Sequence, residues 1–484
     1  MYLKINLLHT NNGDYMSLIN DLKKEIGESK DYIFKELIIS NKKINLLFNE
    51  VLTNTLLIDD FIIRELINLD KKELKNLINV LPNTNIIKIN KKDIIDFVNN
   101  GFLVIIGYDI LAIEVRASLD RGVAQVESEL SLTGPKDAFS EMFNTNLGLI
   151  RKKIKSPDLV SKTLSIGRSS KTYVGILYMK NLVNKNLVKD IENKLKDIDI
   201  DGIIDSSYLK NALEHKNNLF PTLTTTERPD KSSMALLEGK VVILVDQSPY
   251  AIILPSFFID FFHTVDDYYQ KDINTTFIRI IRLIAFLIAI FLPALYISVT
   301  TRNYDLIPYK LLIMLKAGRT FVPFPAYIEA LFMIIAFEIL KESDIRMSAT
   351  TGSAISILGG LILGDAAVSA GIVSPIMIII IAISSIAGLI FPSNELVNVI
   401  RFYKIFLLIL SAILGIYGVF IGTFLLLYNL FTIKCFNYPY LSPIIPYDKN
   451  EILDSFIKKD KNIKTRNSIL TKNIIRGKYK WKRN

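Results

Sequence analysis

Along the first 275 residues, apolar and polar positions alternate in short blocks, and no run approaches the ~20 apolar residues needed to cross a bilayer. Two patterns recur there in the same order. Leu47 to Arg64 and Leu177 to Lys194 each begin with two strand-like residues, pass a polar break and continue with helical spacing of apolar positions, at an offset of 130 residues. Further along, Gly101-Phe-Leu-Val-Ile-Ile-Gly-Tyr-Asp and Gly239-Lys-Val-Val-Ile-Leu-Val-Asp-Gln-Ser-Pro stand 138 residues apart. Each leads through a Gly, Asp or Pro turn into a second apolar stretch (Ile110 to Val115, Tyr250 to Leu254), which predicts a β-hairpin. The repeat predicts two tandem α/β subdomains of similar build.

From Thr276 the pattern changes to long apolar runs. Leu283 to Val299 carries no charge and follows Arg279 and Arg282, as a first span anchored by cytoplasmic arginines would. Phe321 to Leu340 starts at Pro323 and Pro325 and is interrupted by Glu329 and Glu338; Ala349 to Val373 holds one charge, Asp365. Ile372 to Phe391 and Ile405 to Ile433 hold none, giving five hydrophobic segments. The expected organisation is an N-terminal extension (1–40), a first α/β subdomain (41–165), a second (166–275), a transmembrane helical domain (276–433) and a basic tail (434–484). In fold class this is an α+β membrane protein, with a cytoplasmic N-terminal region of two tandem α/β subdomains, an α-helical transmembrane bundle and a basic cytoplasmic C-terminal tail. Met1 to Asn20 lacks a secretory-signal pattern, so both termini are expected in the cytoplasm. Two cytoplasmic ends require an even number of crossings, so one of the five segments is expected to be re-entrant or interfacial, either the second or the glycine-rich third.

Charge and composition sharpen this picture. The mean hydropathy of +0.32, with 50% hydrophobic residues over 484 positions, fits a chain partly embedded in lipid. The net charge of +10 is concentrated: residues 431–484 hold 13 Lys and Arg against four Asp and Glu, 13 − 4 = +9. Such a tail beside a membrane is expected to meet anionic lipid headgroups, not nucleic acid. Three histidines (His9, His215, His263) and one cysteine (Cys435) stand too far apart in sequence for a zinc-ligand motif, a disulfide framework or a Cys/His nucleophile, so no metal, cofactor or enzyme activity is expected.

Ionisable residues at membrane depth carry the candidate chemistry, because they are costly there and turn toward a partner or an aqueous path. Asp365, among the small residues of Gly359 to Gly371, is the sharpest pore candidate, with Glu329, Glu338 and Arg346 beside it. Glu329 and Glu338 are nine residues apart and face opposite sides of a helix, so they form no shared site. The bland alternatives are a cap or turn role for Asp365 and pairing of Glu338 with Lys341 or Arg346. Gly352, Ser356, Gly360 and Gly364 repeat every four residues, a ridge on which a neighbouring helix packs closely, and Gly418 and Gly422 repeat it in the last segment. In the α/β half, Gly134-Pro-Lys-Asp lacks the spaced glycines of a phosphate loop and reads as a turn before a helix from Lys136. Thr224 to Asp230 reads as a structural turn with an internal ion pair.

Several stretches together resemble the A subunits of GerA-type spore germinant receptors of endospore-forming bacteria. They are Arg121 to Ile154, Phe220-Pro221 with Thr226-Glu-Arg-Pro-Asp230, Leu237 to Asp246, Ser248-Pro249 and Asp266 to Tyr269. The membrane half adds Leu292 to Tyr296, Val322 to Pro325 with Glu329, Glu342 with Ile345-Arg346, and Gly364-Asp-Ala-Ala-Val with Ala370 to Pro375. The resemblance runs in order over residues 40 to 450; Ala124-Gln125 depart from an acidic-proline pair, and Lys152-Lys153 replace arginines. It implies a subunit of a nutrient receptor in the spore inner membrane, partnered by a transporter-like B subunit that holds the nutrient and a lipoprotein C subunit. It also implies a homo-oligomeric ring whose membrane part releases ions, a role compatible with Asp365 and the small-residue ridge. The alternatives are a membrane-anchored scaffold that recruits germination proteins, and a secondary transporter, for which the inverted repeat is missing.

Overall fold

The computed structural model describes residues 12–27, 29–40, 42–70, 73–75, 77–81, 85–117, 124–126, 128–129, 131–214, 218–346, 360, 364–447, 455–458 and 470, without the side chains of 12–16, 75, 79, 124–125 and 344–346. The chain divides into an α/β unit (Met1–Lys216, Leu223–Pro255 and Asn462–Asn484) and a helical unit (Asn217–Thr222 and Ser256–Lys461).

In the α/β unit, strands β1 (Tyr32–Ile39), β2 (Lys42–Asn49), β3 (Ile86–Lys88), β4 (Phe102–Ile106) and β5 (Ile110–Glu114) form an antiparallel sheet of order β1-β2-β4-β5-β3. Successive side chains of a strand point to opposite faces. Leu103 and Ile105 therefore join Ile44, Leu46, Ile58, Ile62 and Leu66 on one side of the sheet. Phe102, Val104 and Ile106 join Leu22 and Ile26 of helix α1 (Asn12–Ile26) and Ile94, Ile95 and Val98 of helix α2 (Ile94–Asn99) on the other. Burial on both faces is why β4 reads as an unbroken apolar run. A short ladder of β6 (Ala124–Gln125) and β7 (Asp137–Ala138) follows, then helix α3 (Phe143–Lys153).

Strands β8 (Leu159–Ile166), β9 (Thr172–Met179), β10 (Thr224–Thr226), β11 (Val241–Val245) and β12 (Ala251–Leu254) form a second antiparallel sheet of order β8-β9-β11-β12-β10. This is the strand order of the first sheet, element for element. Helix α4 (Lys185–Lys196) follows β9 as the helical run from Thr55 follows β2, and α5 (Ser206–Leu213) packs on β12. Gly101 and Gly239, the glycines that open the second repeat pattern, have φ of +82° and +89°. Each turns the chain out of a helix, α2 or α6 (Pro229–Leu237), into the strand that follows, a conformation glycine adopts without a Cβ penalty.

The expected boundaries need moving. The first sheet begins at Tyr32, not after residue 40, because β1 pairs along its whole length with β2. A border at 165/166 cuts β8, which belongs to the second sheet. The segments Asn217–Thr222 and Ser256–Lys461 belong to the helical unit, so the second border falls before residue 275. No helix starts at Lys136: that residue precedes β7, and the helix begins at Phe143.

Two buried charge networks hold the α/β unit. Arg151 of α3, 1% exposed, grips Asp31 with Nε on Oδ2 at 2.7 Å and Nη2 on Oδ1 at 2.9 Å, and also donates to Ser29 Oγ. The bidentate fork ties α3 to the start of the first sheet. Glu227 Oε1 accepts from the backbone N–H groups of Ser128 and Glu129 at 2.6 and 2.7 Å. Arg228 pairs with Asp230 at 2.8 Å, as expected, and also donates to the carbonyls of Glu129 and Pro135 and to Ser131 Oγ. The Gly134-Pro135 turn is thus held by an arginine, which accounts for it without a phosphate.

The helical unit contains α7 (Asp272–Thr301), α8 (Tyr309–Ala317), α9 (Ala326–Arg346), a helical stretch at 364–369, α10 (Pro375–Gly388), α11 (Asn394–Leu414), α12 (Ile416–Thr432) and a hairpin of β13 (Lys434–Cys435) with β14 (Tyr438–Pro439). Two of these helices, α7 and α11, are long and apolar enough to cross a membrane, and α10 and α12 are shorter apolar helices. The run Ile405 to Ile433, read as one segment, is two helices. Gly415 breaks it with φ +63°, and Asn303 Oδ1 accepts from the backbone N–H of Ile416, at the start of α12, at 3.0 Å. Ala285, Ala289 and Ala294 let α7 lie close to its neighbours, and Ser384 Oγ of α10 donates across to the Ala289 carbonyl at 2.9 Å. The expected basic tail does not begin at 434: Tyr440 is fully buried against Phe220, Phe258 and Phe261.

Candidate functional site: the ionic contacts of the helical unit

Pro325 precedes α9, and the helix places Glu329 in its first turn, where the positive end of the helix favours a carboxylate. The Glu329 side chain is 0% exposed. Its Oε1 pairs with Arg319 Nη2 at 2.8 Å, and its Oε2 accepts from the backbone N–H and the Oγ of Ser374 at 3.0 and 2.9 Å. Ser374 is the residue that enters α10, so a single carboxylate joins the turn after α8, the start of α9 and the start of α10. Removing one partner of such a buried pair leaves an uncompensated charge.

Glu338, half-way along α9, faces away from Glu329 and pairs with Arg401 Nη2 of α11 at 2.8 Å. The sequence expectation paired it with Lys341 or Arg346. Arg401 takes that place because α9 packs against α11 and brings the guanidinium across. Lys404, one turn further along α11, is 5% exposed.

Asp365 is brought into neither cluster. It lies exposed on the stretch 364–369, and among the described residues no atom lies within 4 Å of where a Cβ on Gly360 or Gly364 would stand. The other small-residue face is already occupied: a Cβ on Gly418 would sit 2.1 Å from the Leu410 carbonyl, and one on Gly422 would sit 2.3 Å from Leu407, both on α11. Gly352, Ser356 and the side chain of Arg346 lie outside the described residues. Of the four pore candidates, two carboxylates are thus neutralised within the chain and Asp365 is uncovered.

A third ionic cluster stands at the entrance to α7 and was not anticipated. Asp267 accepts from Arg282 Nη1 at 2.7 Å and Arg279 Nε at 3.4 Å, while Arg282 also donates to the Phe262 carbonyl and Thr264 Oγ1. The two arginines read as cytoplasmic anchors of a first span are buried, because Asp267 lies against their face of α7. Burial alone would raise the Asp267 carboxyl, but the Arg282 hydrogen bond and charge, with Arg279, hold it below its ordinary value. His263 donates to the Ser455 carbonyl at 2.9 Å, and Lys458 reaches the Gln270 carbonyl at 2.8 Å and Asp272 at 3.3 Å. The spacing of Arg279 and Arg282, three apart on one helical face with an acid upstream, was the available signal. Among the described residues, no three His, Cys, Asp or Glu side chains gather to hold a metal ion.

The family described as Bacillus/Clostridium GerA spore germination protein matches residues 20–469. Spore germination protein KA of Bacillus subtilis (strain 168) is 34% identical over 91% of this chain and 83% of its own length. Spore germination protein GerQA of Bacillus cereus is 33% identical over 95% of this chain and 94% of its own length. Among solved structures, the N-terminal domain of the A subunit of the Bacillus megaterium spore germinant receptor GerK3 matches at 26% identity and a TM-score of 0.39, over 53% of this chain and 99% of that one.

Proposed function

The chain belongs to the GerA spore germination protein family, and on that premise we propose that it is the A-type subunit of a nutrient receptor that opens an ion path to start germination. The observation that carries the reading is the contrast between the carboxylates of the helical unit. Glu329 and Glu338 are spent on internal ion pairs, whereas Asp365 stands exposed beside two uncovered glycines. A carboxylate such as Asp365, with no partner among the described residues, is stable at membrane depth only where water or another chain meets it. In a ring of copies, the face at Gly360 and Gly364 packs against a neighbour and Asp365 lines the shared aqueous axis. Nutrient binding to a transporter-like B subunit, in a complex completed by a lipoprotein C subunit, then shifts the ring between a closed and an open packing. The site of action is the spore inner membrane, with both termini on the cytoplasmic side.

Asp365→Leu tests this in spores. The variant protein is expected at its ordinary level in the membrane fraction, with nutrient-triggered ion release abolished. Unchanged ion release from that variant removes Asp365 from the path.

A further inference from the structure

Lys404 is 5% exposed on a helix apolar enough to cross a membrane, and among the described residues its ammonium donates no hydrogen bond. The charges within electrostatic reach of it are Glu338, Arg401 and Lys341. Glu338 is already engaged by Arg401 Nη2, so one carboxylate stands against three cations. The Nε of Arg401 is buried and has no acceptor among the described residues. A partly buried cluster with two surplus positive charges and unused donors is costly unless an anion completes it.

The surroundings indicate what kind of anion. Arg401 and Glu338 keep 37% and 29% of their side chains exposed, so the cluster opens at the outside of the unit. Beside that opening lie apolar side chains without cover: Ile335 and Ile339 on α9, at 49% and 61% exposure, and Phe402 on α11, at 47%. A guanidinium with two ammonium groups suits a tetrahedral oxyanion, and an apolar flank suits an acyl chain. We propose that Lys404, Arg401 and Lys341 bind a phosphate-bearing anion between α9 and α11, supplied as the headgroup of an anionic phospholipid whose chains cover Ile335, Ile339 and Phe402. Basic pockets between membrane helices take such headgroups by the same electrostatics.

The inference rests on a membrane-embedded helical unit, which flotation with liposomes tests by itself. Full-length protein that fails to float with vesicles removes that premise; protein that floats equally with neutral and anionic vesicles and shows no lipid preference below removes only the site. The site is tested by thermal unfolding and native mass spectrometry of the full chain in mild detergent, with added phosphatidylglycerol, phosphatidylcholine or inorganic phosphate. Phosphatidylglycerol is expected to raise the melting temperature and stay bound, and phosphatidylcholine is not. Protection by inorganic phosphate as strong as by phosphatidylglycerol would support the anion site and overturn the lipid as its source.

Lys404→Met is expected to bind phosphatidylglycerol about fivefold more weakly, one headgroup contact's worth. It is also expected to melt higher than the parent when no anionic lipid is present, because an uncompensated charge has gone. Lys341→Gln, at a half-buried position, is expected to weaken phosphatidylglycerol binding in the same direction. Phosphatidylglycerol protection that survives in both variants, or a Lys404→Met protein that melts lower than the parent in neutral detergent, would overturn the proposal, the latter by showing that the ammonium only balances Glu338.

Discussion

The His263 imidazole donates from Nε2 to the Ser455 carbonyl, and burial together with the Arg279 guanidinium pushes its pKa down to about 4. The ring is therefore neutral in the folded chain at pH values where it is charged in the unfolded chain. A depressed folded-state value means that the unfolded state binds more protons between pH ~6.5 and about 4, so the stability gained from neutral His263 is complete above that window and lost as pH falls through it. His263→Gln, which keeps a donor for Ser455, is expected to flatten the acid limb of the melting curve. The difference between parent and variant across the window should be on the order of 3 kcal/mol at most. Identical pH profiles would show that His263 does not titrate with unfolding. Of the residues singled out in the sequence, Asp365, Glu329 and Glu338 were found because a lone charge in an apolar run is conspicuous. Their partners were not: Arg319, Ser374 and Arg401 are ten, 45 and 63 positions away, and sequence spacing does not bring them close. Lys404 escaped notice because it sits at the edge of the run that begins at Ile405.

Gly415 illustrates what the hydrophobic pattern conceals. Twenty-nine residues without a charge read as one segment, yet a single positive φ splits them into α11 and α12 and turns the chain back. A Cβ there would meet Asn303 Oδ1 at 2.5 Å and Arg302 Cβ at 2.8 Å. Gly415→Ala is expected to lower stability by about 1–3 kcal/mol, read as a reduced melting temperature in detergent. Gly388→Ala, where the added methyl meets nothing within 4 Å and the residue is helical, is the comparison and should be neutral or mildly stabilising. Equal effects at the two positions would remove the turn argument. The strands were more legible. The two Gly-led blocks are β4 and β11, each entered from a helix through its glycine, and each hairpin partner lies where the alternation of apolar runs and turn residues put it. Strand order was beyond sequence reading, because β3 and β10 reach their sheet edges by pairings that no local pattern encodes.

The two units divide their charges differently. The α/β unit buries Arg151 and Arg228 in closed networks with their carboxylates, as a rigid body does. The helical unit closes Glu329, Glu338 and Asp267 in ion pairs of its own, and among the described residues nothing covers Asp365, Gly360 or Gly364. On the proposed reading a second copy of the chain covers that face, and a ring is the closed arrangement in which every copy is covered alike. The family was legible from blocks spread over most of the chain, because their order is harder to match by chance than any one motif. Which small-residue face is consumed inside the chain was not legible, and only the structure separates Gly418 and Gly422, packed on α11, from Gly360 and Gly364. The most direct measurement is the size and symmetry of the protein released gently in detergent, alone and with its co-expressed partner subunits. A closed ring of identical subunits with Asp365 toward its axis is the predicted result; a monomer or dimer that persists with the partners present would contradict the ion-path account.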